Sequence, residues 1–454
     1  MKAPQSPQEK FALMTTEPIP PLILRLAAPT IVSMLVTALY NMADTFFVGK
    51  IGTSATGAVG VVFSLMAIIQ ALGFTFGHGS GNYISRRLGA QDTEGAEAMA
   101  STGFFSALIV GLIVMVTGLF FLDPLVRGLG ATPTILPYAR DYARFILIGS
   151  PYMIASLVLN NQLRFQGSAA YAMVGIASGA VLNVALDPLF IFALDMGVAG
   201  AALATIISQF VSFCLLLAGT HRGGNIAIRF RAFKPSKIRY REILRGGFPS
   251  LCRQGLGSIA TIALNLAAGP YGDAAIAAMS IVSRVMQFAM SAVLGFGQGF
   301  QPVCGFNYGA KRYGRVREAF FFCLRISFVI LLALSVVGFS FAPQVIEIFR
   351  KGDPAVVSIG QRALRLQCIL FPFVSYITLV NMMLQTIGKS LRASLLAAAR
   401  QGLFFLPVIL ILPRVMGLTG LLWSQPLADL FTLLLALPLG IATLREMQRA
   451  QQTP

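Results

Sequence analysis

Residues 181–192 read VLNVALDPLFIF, and inside this apolar run stand Asn183 and Asp187. A spacing of four puts the amide and the carboxylate on one face of a helix. Both offer hard oxygen donors, suited to Na⁺ or to a proton carried by the carboxylate. Pro188 follows. It has no N–H and clashes with the carbonyl of Val184, so it should bend this helix and free that carbonyl. The chain then turns through LDMGVAG, centred near Met196. Positions equidistant from such a turn lie level in an antiparallel hairpin, so Thr205 should come beside Asp187, with Ala201 one turn away. Asp44 lies near the outer end of an earlier apolar stretch that closes at Gly49. At 1.5 Å per residue it sits about 7 Å below that end, against roughly 10 Å for Asp187 and Thr205. A carboxylate in hydrocarbon costs several kcal/mol unless it is protonated or paired. Asp44, Asp187, Asn183, Thr205 and the Ala201 carbonyl are therefore expected to converge on an exchangeable cation.

The elements that position these groups must lie in a bilayer. The 454 residues are 56% hydrophobic and only 11% charged, with mean hydropathy +0.75. A soluble chain would carry about 25% charged residues. About twelve apolar segments recur, at 22–48, 57–84, 98–122, 140–163, 171–194, 198–220, 247–269, 274–303, 317–341, 362–385, 393–412 and 418–443. Without water to satisfy backbone groups, such segments are helices. The fold class is thus an all-α integral membrane protein. Residues 1–21 are polar and proline-rich, with no basic-then-apolar leader, and are expected to form a cytoplasmic tail, as are 444–454.

Lys and Arg number 35 against 17 acids, a net charge of +18. With the N-terminus inside, about 21 basic residues fall in cytoplasmic segments and about seven in outer loops, an asymmetry that sets orientation. The segment 221–246 alone holds eight. Basic residues confined to short loops between spans speak against nucleic acid. The five cysteines lack CxxC spacing and read as small hydrophobes. Gly388-Lys389-Ser390 resembles the end of a phosphate-binding loop, but Met383 stands where the first glycine belongs, so ATP hydrolysis is not encoded. Two histidines and no nucleophile–base–acid set argue against an enzyme.

The chain repeats itself at an offset of 220. Pro29 matches Pro249, Gly77 and Gly79 match Gly297 and Gly299, Asn161 matches Asn381, and Gly197 and Gly200 match Gly417 and Gly420. Two six-helix lobes follow, 22–220 and 247–443, joined by a basic cytoplasmic linker at 221–246. Because six is even, the lobes run parallel, related by a pseudo-twofold axis along the membrane normal, and rocking them would open a cleft to either side. Asp44, Asn183 and Asp187 align with Leu264, Leu403 and Pro407. The fold repeats its glycines and prolines but not these polar groups, which favours a functional role for them.

Other groups read less sharply. Pro29 is shared by both halves and serves as bend or hinge. Arg400 and Asp429 flank the last hairpin turn at similar distances, and are expected to form an intramembrane ion pair or a site in the second lobe. Arg253 and Arg284 should face the cleft or a carboxylate. His78, in FGHGSG, reads as packing rather than proton relay, its glycines permitting close helix contact. With 17 Met and 35 Phe, a Met- and aromatic-lined cavity would accept lipophilic cations.

NMADTFFVGKIG, FGHGSGNYISRRLGAQD and NVALDPLFIF with MGVAGAALAT resemble the multidrug and toxic compound extrusion (MATE) transporters, in the MepA-like and DinF-like branch, over residues 22 to 443. The resemblance implies a twelve-helix antiporter of the bacterial or archaeal cytoplasmic membrane, monomeric, with both termini inside. It would exchange Na⁺ or H⁺ for cationic, lipophilic small molecules and need no cofactor. It implies a cation site of Asp187, Asn183, Thr205 and the Ala201 carbonyl, with Asp44 beside it. It also implies a bend at Pro29 that accompanies protonation, and cavity residues Tyr40, Tyr142 and Asn160. The second-lobe acids of other branches are absent, and Asp429 stands outside that pattern. A flippase for lipid-linked saccharides, drawing on Arg253 and Arg284, and a duplicated channel are the alternatives.

Overall fold

A computed structural model of the chain describes residues 6–349 and 352–452, with the side chains at 41, 42, 45 and 53 outside the description. The described residues form helices α1 (Pro7–Thr16), α2 (Ile19–Gly49), α3 (Thr53–Gly89), α4 (Thr93–Phe120), α5 (Leu122–Gly128), α6 (Leu136–Phe165), α7 (Ala169–Pro188) and α8 (Gly197–Thr220). There follow α9 (Lys237–Ala268), α10 (Asp273–Gly309), α11 (Tyr313–Ser340), α12 (Ala342–Phe349), α13 (Pro354–Thr386), α14 (Ser390–Ala398) and α15 (Phe405–Gln452). Two π turns, Leu189–Ala193 and Ala399–Phe404, follow α7 and α14.

Ten stretches are long and apolar enough to cross a membrane. α9 falls short of that hydropathy because Arg253, Gln254 and Asn265 interrupt it. The last stretch, 390–452, counts as one although Gly417 breaks it with φ 61 and ψ −141. Adding α9 and dividing at Gly417 gives twelve crossing helices. They form two six-helix lobes.

Local chemistry fixes the helix ends. Asp92 accepts from Gly95 N at 2.8 Å to cap α4, and Asp353 accepts from Val356 N at 3.2 Å to cap α13, whose first residue is Pro354. The segment expected to be a tail folds in part into α1, capped by Ser6, and buries Lys10, Met14 and Thr15.

The duplication extends to backbone conformation. Left-handed φ values recur at Gly52 and Gly272, Gln91 and Lys311, Gly167 and Gly388, and Gly197 and Gly417. The offset is not constant, which corrects the alignment above. Asn160 donates to Ala172 O and Asn381 to Ala393 O, so Asn160, not Asn161, is the counterpart of Asn381. A Cβ on Gly77 would meet Asn161, and one on Gly297 would meet Met382, which again gives 221 in the fourth helix of each lobe. Gly200 abuts Phe190 O and Gly420 abuts Leu412 O, giving 222 at the end of the fifth. Asn183 and Asp187 then pair with Phe404 or Phe405 and with Val408 or Ile409. These positions are as apolar as the residues first aligned.

The chain divides into two compact units, one of 1–17 and 28–247, the other of 18–27 and 248–454. In the first unit α3 packs against the start of α9 without intervening side chains: a Cβ on Gly79 would lie 2.1 Å from Ile243 O, and one on Gly247 2.1 Å from Thr75 O. In the second unit Gly299 of α10 is pressed in the same way against the backbone of Ala27. The opening turns of α2 and α9 thus each pack in the unit that does not hold the rest of the helix.

Candidate cation site in the first lobe

The site lies within the first unit, on α2, α6, α7 and α8. α7 holds Asn183 and Asp187 on one face and ends at Pro188. The π turn takes over there, with Leu194 N bonding to Leu189 O at 2.9 Å. This is how the helix accommodates a residue that cannot donate. On α8, Thr205 Oγ1 donates to Ala201 O at 3.0 Å and accepts from Asn183 Nδ2 at 3.4 Å. Tyr142 of α6 is buried close to Thr205, Asp44, Tyr40 and Asp187. Asp44 and Asp187 interact with each other, and Tyr40 with both.

Asp187 is 0% exposed. Both of its carboxylate oxygens lack a hydrogen-bond partner, as do Asp44 Oδ1 and Asn183 Oδ1. Buried polar atoms are nearly always paired, and an orphaned carboxylate is costly. Two carboxylates buried within electrostatic range of each other also repel. A bound cation could take several of these oxygens as ligands, and a proton would neutralise one of the carboxylates. Among the described residues no three His, Cys, Asp or Glu side chains cluster. The donor set is hard oxygen, which suits Na⁺ or H⁺ rather than a soft metal.

A cavity of about 110 Å³ adjoins the site within the same unit. Tyr40, Asn160, Asn183 and Thr205 line it together with Met66, Met153, Gln70 and Gln209. The glutamines were not singled out from sequence, although each is a polar amide inside an apolar span. Asn160 reaches the wall with its amide committed to Ala172 O at 3.3 Å. Pro29 is not brought to the site: fifteen residues separate it from Asp44 on α2, about 22 Å along the axis.

In the second unit, Arg400 Nε donates to Asp429 Oδ1 at 2.7 Å and Nη2 to Oδ2 at 3.3 Å. Gln425 Nε2 adds a bond to Oδ1 at 2.9 Å. Arg253 meets neutral partners rather than a carboxylate, Asn381 Oδ1 at 3.3 Å and Ser250 Oγ at 3.4 Å. Arg284 is exposed on α10. His78 stacks on Phe74, packs edge-on against Phe165 and lies 3.3 Å from Arg164 Nη2.

The fold is that of a multi-pass membrane protein with two repeated lobes, the first of which buries a cluster of oxygen atoms without hydrogen-bond partners. Comparison with known proteins agrees: the MatE family model matches twice, over residues 29–189 and 249–411. The chain belongs to the MatE family, whose members are transporters and not enzymes. It is 28% identical over 417 residues to the multidrug export protein MepA of Staphylococcus saprophyticus, covering 91% of this chain and 92% of that protein. To MepA of Staphylococcus aureus it is 27% identical over 423 residues, with 93% of each covered. Among solved structures, a MATE in the bent conformation superposes with TM-score 0.90 at 29% identity, covering 98% of this chain and 99% of that one. An outward-facing multidrug resistance MATE family transporter gives 0.88 at 29% identity, with 97% and 98% covered.

Proposed function

We propose that the protein is a multidrug efflux antiporter. It exports cationic, lipophilic small molecules in exchange for Na⁺ or H⁺, acting as a monomer in the cytoplasmic membrane of a bacterium or archaeon, with both termini inside. The observation that carries this reading is the set of orphaned buried oxygens on Asp44, Asn183 and Asp187 beside Thr205. An incoming ion neutralises the carboxylates, and α2, which carries Asp44, responds to the loss of repulsion. Substrate held against the Met- and Tyr-containing wall is then released outward, and alternation of the repeated lobes returns the ion to the inside. The multidrug export proteins at 27–28% identity support the substrate class.

The test is transport of a fluorescent cation in proteoliposomes under imposed Na⁺ or H⁺ gradients. Asp187→Asn should reduce gradient-driven efflux at least about tenfold, the loss of a cation ligand costing on the order of 1.4 kcal/mol or more, while membrane expression stays normal. Undiminished efflux in that variant would remove the assignment.

A further inference from the structure

The two lobes use equivalent positions in opposite ways. On the sixth helix of each lobe the offset is 220, fixed by the left-handed Gly197 and Gly417. Thr205 therefore corresponds to Gln425, and Gln209 to Asp429. On the fifth helix the offset begins at 221, fixed by the Asn160–Ala172 and Asn381–Ala393 bonds, so Gly179 corresponds to Arg400. In the first lobe Gly179, Thr205 and Gln209 line the cavity beside the cation site. In the second lobe their counterparts are bonded to one another. The guanidinium of Arg400 spans both oxygens of Asp429, and Gln425 takes the remaining position on Oδ1.

We infer that Arg400 is a tethered cation holding the place of a coupling ion in the second lobe, so that Asp429 carries no ion and each cycle is driven by the first lobe alone. The inference rests on the coupling function proposed above. Its chemistry is that of the pair. Asp187 keeps both oxygens without partners, whereas Asp429 has neither oxygen without one. A guanidinium does not lose its proton in proteins, so no physiological pH releases Asp429. Its planar fork matches a carboxylate bidentately, which a bare ion would have to displace at the expense of leaving the partly buried Arg400 unpaired. The backbone supports this placement. The π turn Ala399–Phe404 begins beside Arg400, whereas the matching part of α7 is regular α-helix. A π turn adds a residue and re-aims the side chains around it.

The test counts coupled ions. In proteoliposomes containing the full chain, the substrate gradient that just balances an imposed Na⁺ or H⁺ gradient gives the ion-to-substrate ratio. Arg400→Gln frees Asp429 and should raise this ratio by one ion. The double variant Arg400→Gln with Asp429→Asn leaves no unpaired charge and should show the wild-type ratio. An active Arg400→Gln protein with an unchanged ratio overturns the inference. So does a folded double variant whose ratio falls by one, since Asp429 would then have carried an ion all along. If Arg400→Gln does not fold, the double variant decides. A wild-type protein whose transport ignores both gradients refutes the coupling function itself, an outcome distinguishable before any variant is made.

Discussion

Asp187 and Asp429 are both buried carboxylates, one on the fifth helix of its lobe and one on the sixth, and their surroundings separate their roles. Asp429 accepts three hydrogen bonds, while Asp187 accepts none. A folded protein keeps an unsatisfied carboxylate when something else completes it, and the hydroxyl of Thr205 is placed to take part. Because Thr205 donates its proton to Ala201 O, its lone pairs are left to accept from Asn183 and to offer an oxygen to an ion. Thr205→Val, nearly equal in shape, should raise the ion concentration for half-maximal transport roughly tenfold, about 1.4 kcal/mol, and Thr205→Ser should restore it. A half-maximal concentration unmoved by Thr205→Val would place the hydroxyl outside the site. The meeting of Asn183 with Thr205 was legible in the sequence because hairpin symmetry depends only on counting residues. Tyr142 was not, except through family resemblance, because its place depends on how α6 packs against α8, and no periodicity encodes that.

Helix α1 is one of the elements that sequence patterning missed. Ten residues give too few turns for a periodic signal, and its buried face is held by a polar group. Lys10, 2% exposed, donates to Ser168 Oγ at 3.0 Å and Asn225 Oδ1 at 2.6 Å. Burial away from water pushes its amine down from 10.5 to about 7. Lys10 has the lowered value only when α1 is docked, so docking favours the neutral amine. It should be tightest above pH 10.5, weaken by roughly 1.4 kcal/mol per unit as pH falls, and level off below about 7. Amide hydrogen exchange over 7–16, corrected for intrinsic rate, should report this between pH 7 and 9. Lys10→Met should flatten the profile, and a flat wild-type profile would contradict the account. The close approach of α3 and α9 makes another prediction. Gly79→Ala places a methyl group on a backbone oxygen that cannot step aside and should lower stability by about 1–3 kcal/mol, read as an earlier loss of monodisperse protein on heating in detergent. The short helices α5 and α12 also escaped the sequence reading, each being less than three turns long.

At the scale of the whole molecule, twelve crossings were legible because a bilayer demands some twenty apolar residues at a time. The duplication was legible because glycine and proline mark backbone needs that both lobes share. The single-residue drift in register was not, since it lies where neither lobe has a matching landmark. Charge gives a direct test of orientation. The turn after α2 carries Lys50 and the linker at 221–246 carries eight basic residues. Alkaline phosphatase fused after Gly52 should be active and fused after Gly224 inactive; the reverse pattern would invert the topology. The two units do not divide where the linker does. Residues 18–27 belong with the second and 237–247 with the first, each set against a glycine-bared backbone. Severing the polypeptide in the linker would therefore leave each fragment with a foreign stub and without one of its own. Such split genes should yield activity only when both products are made together, each completing its mate by reciprocal exchange of helix ends.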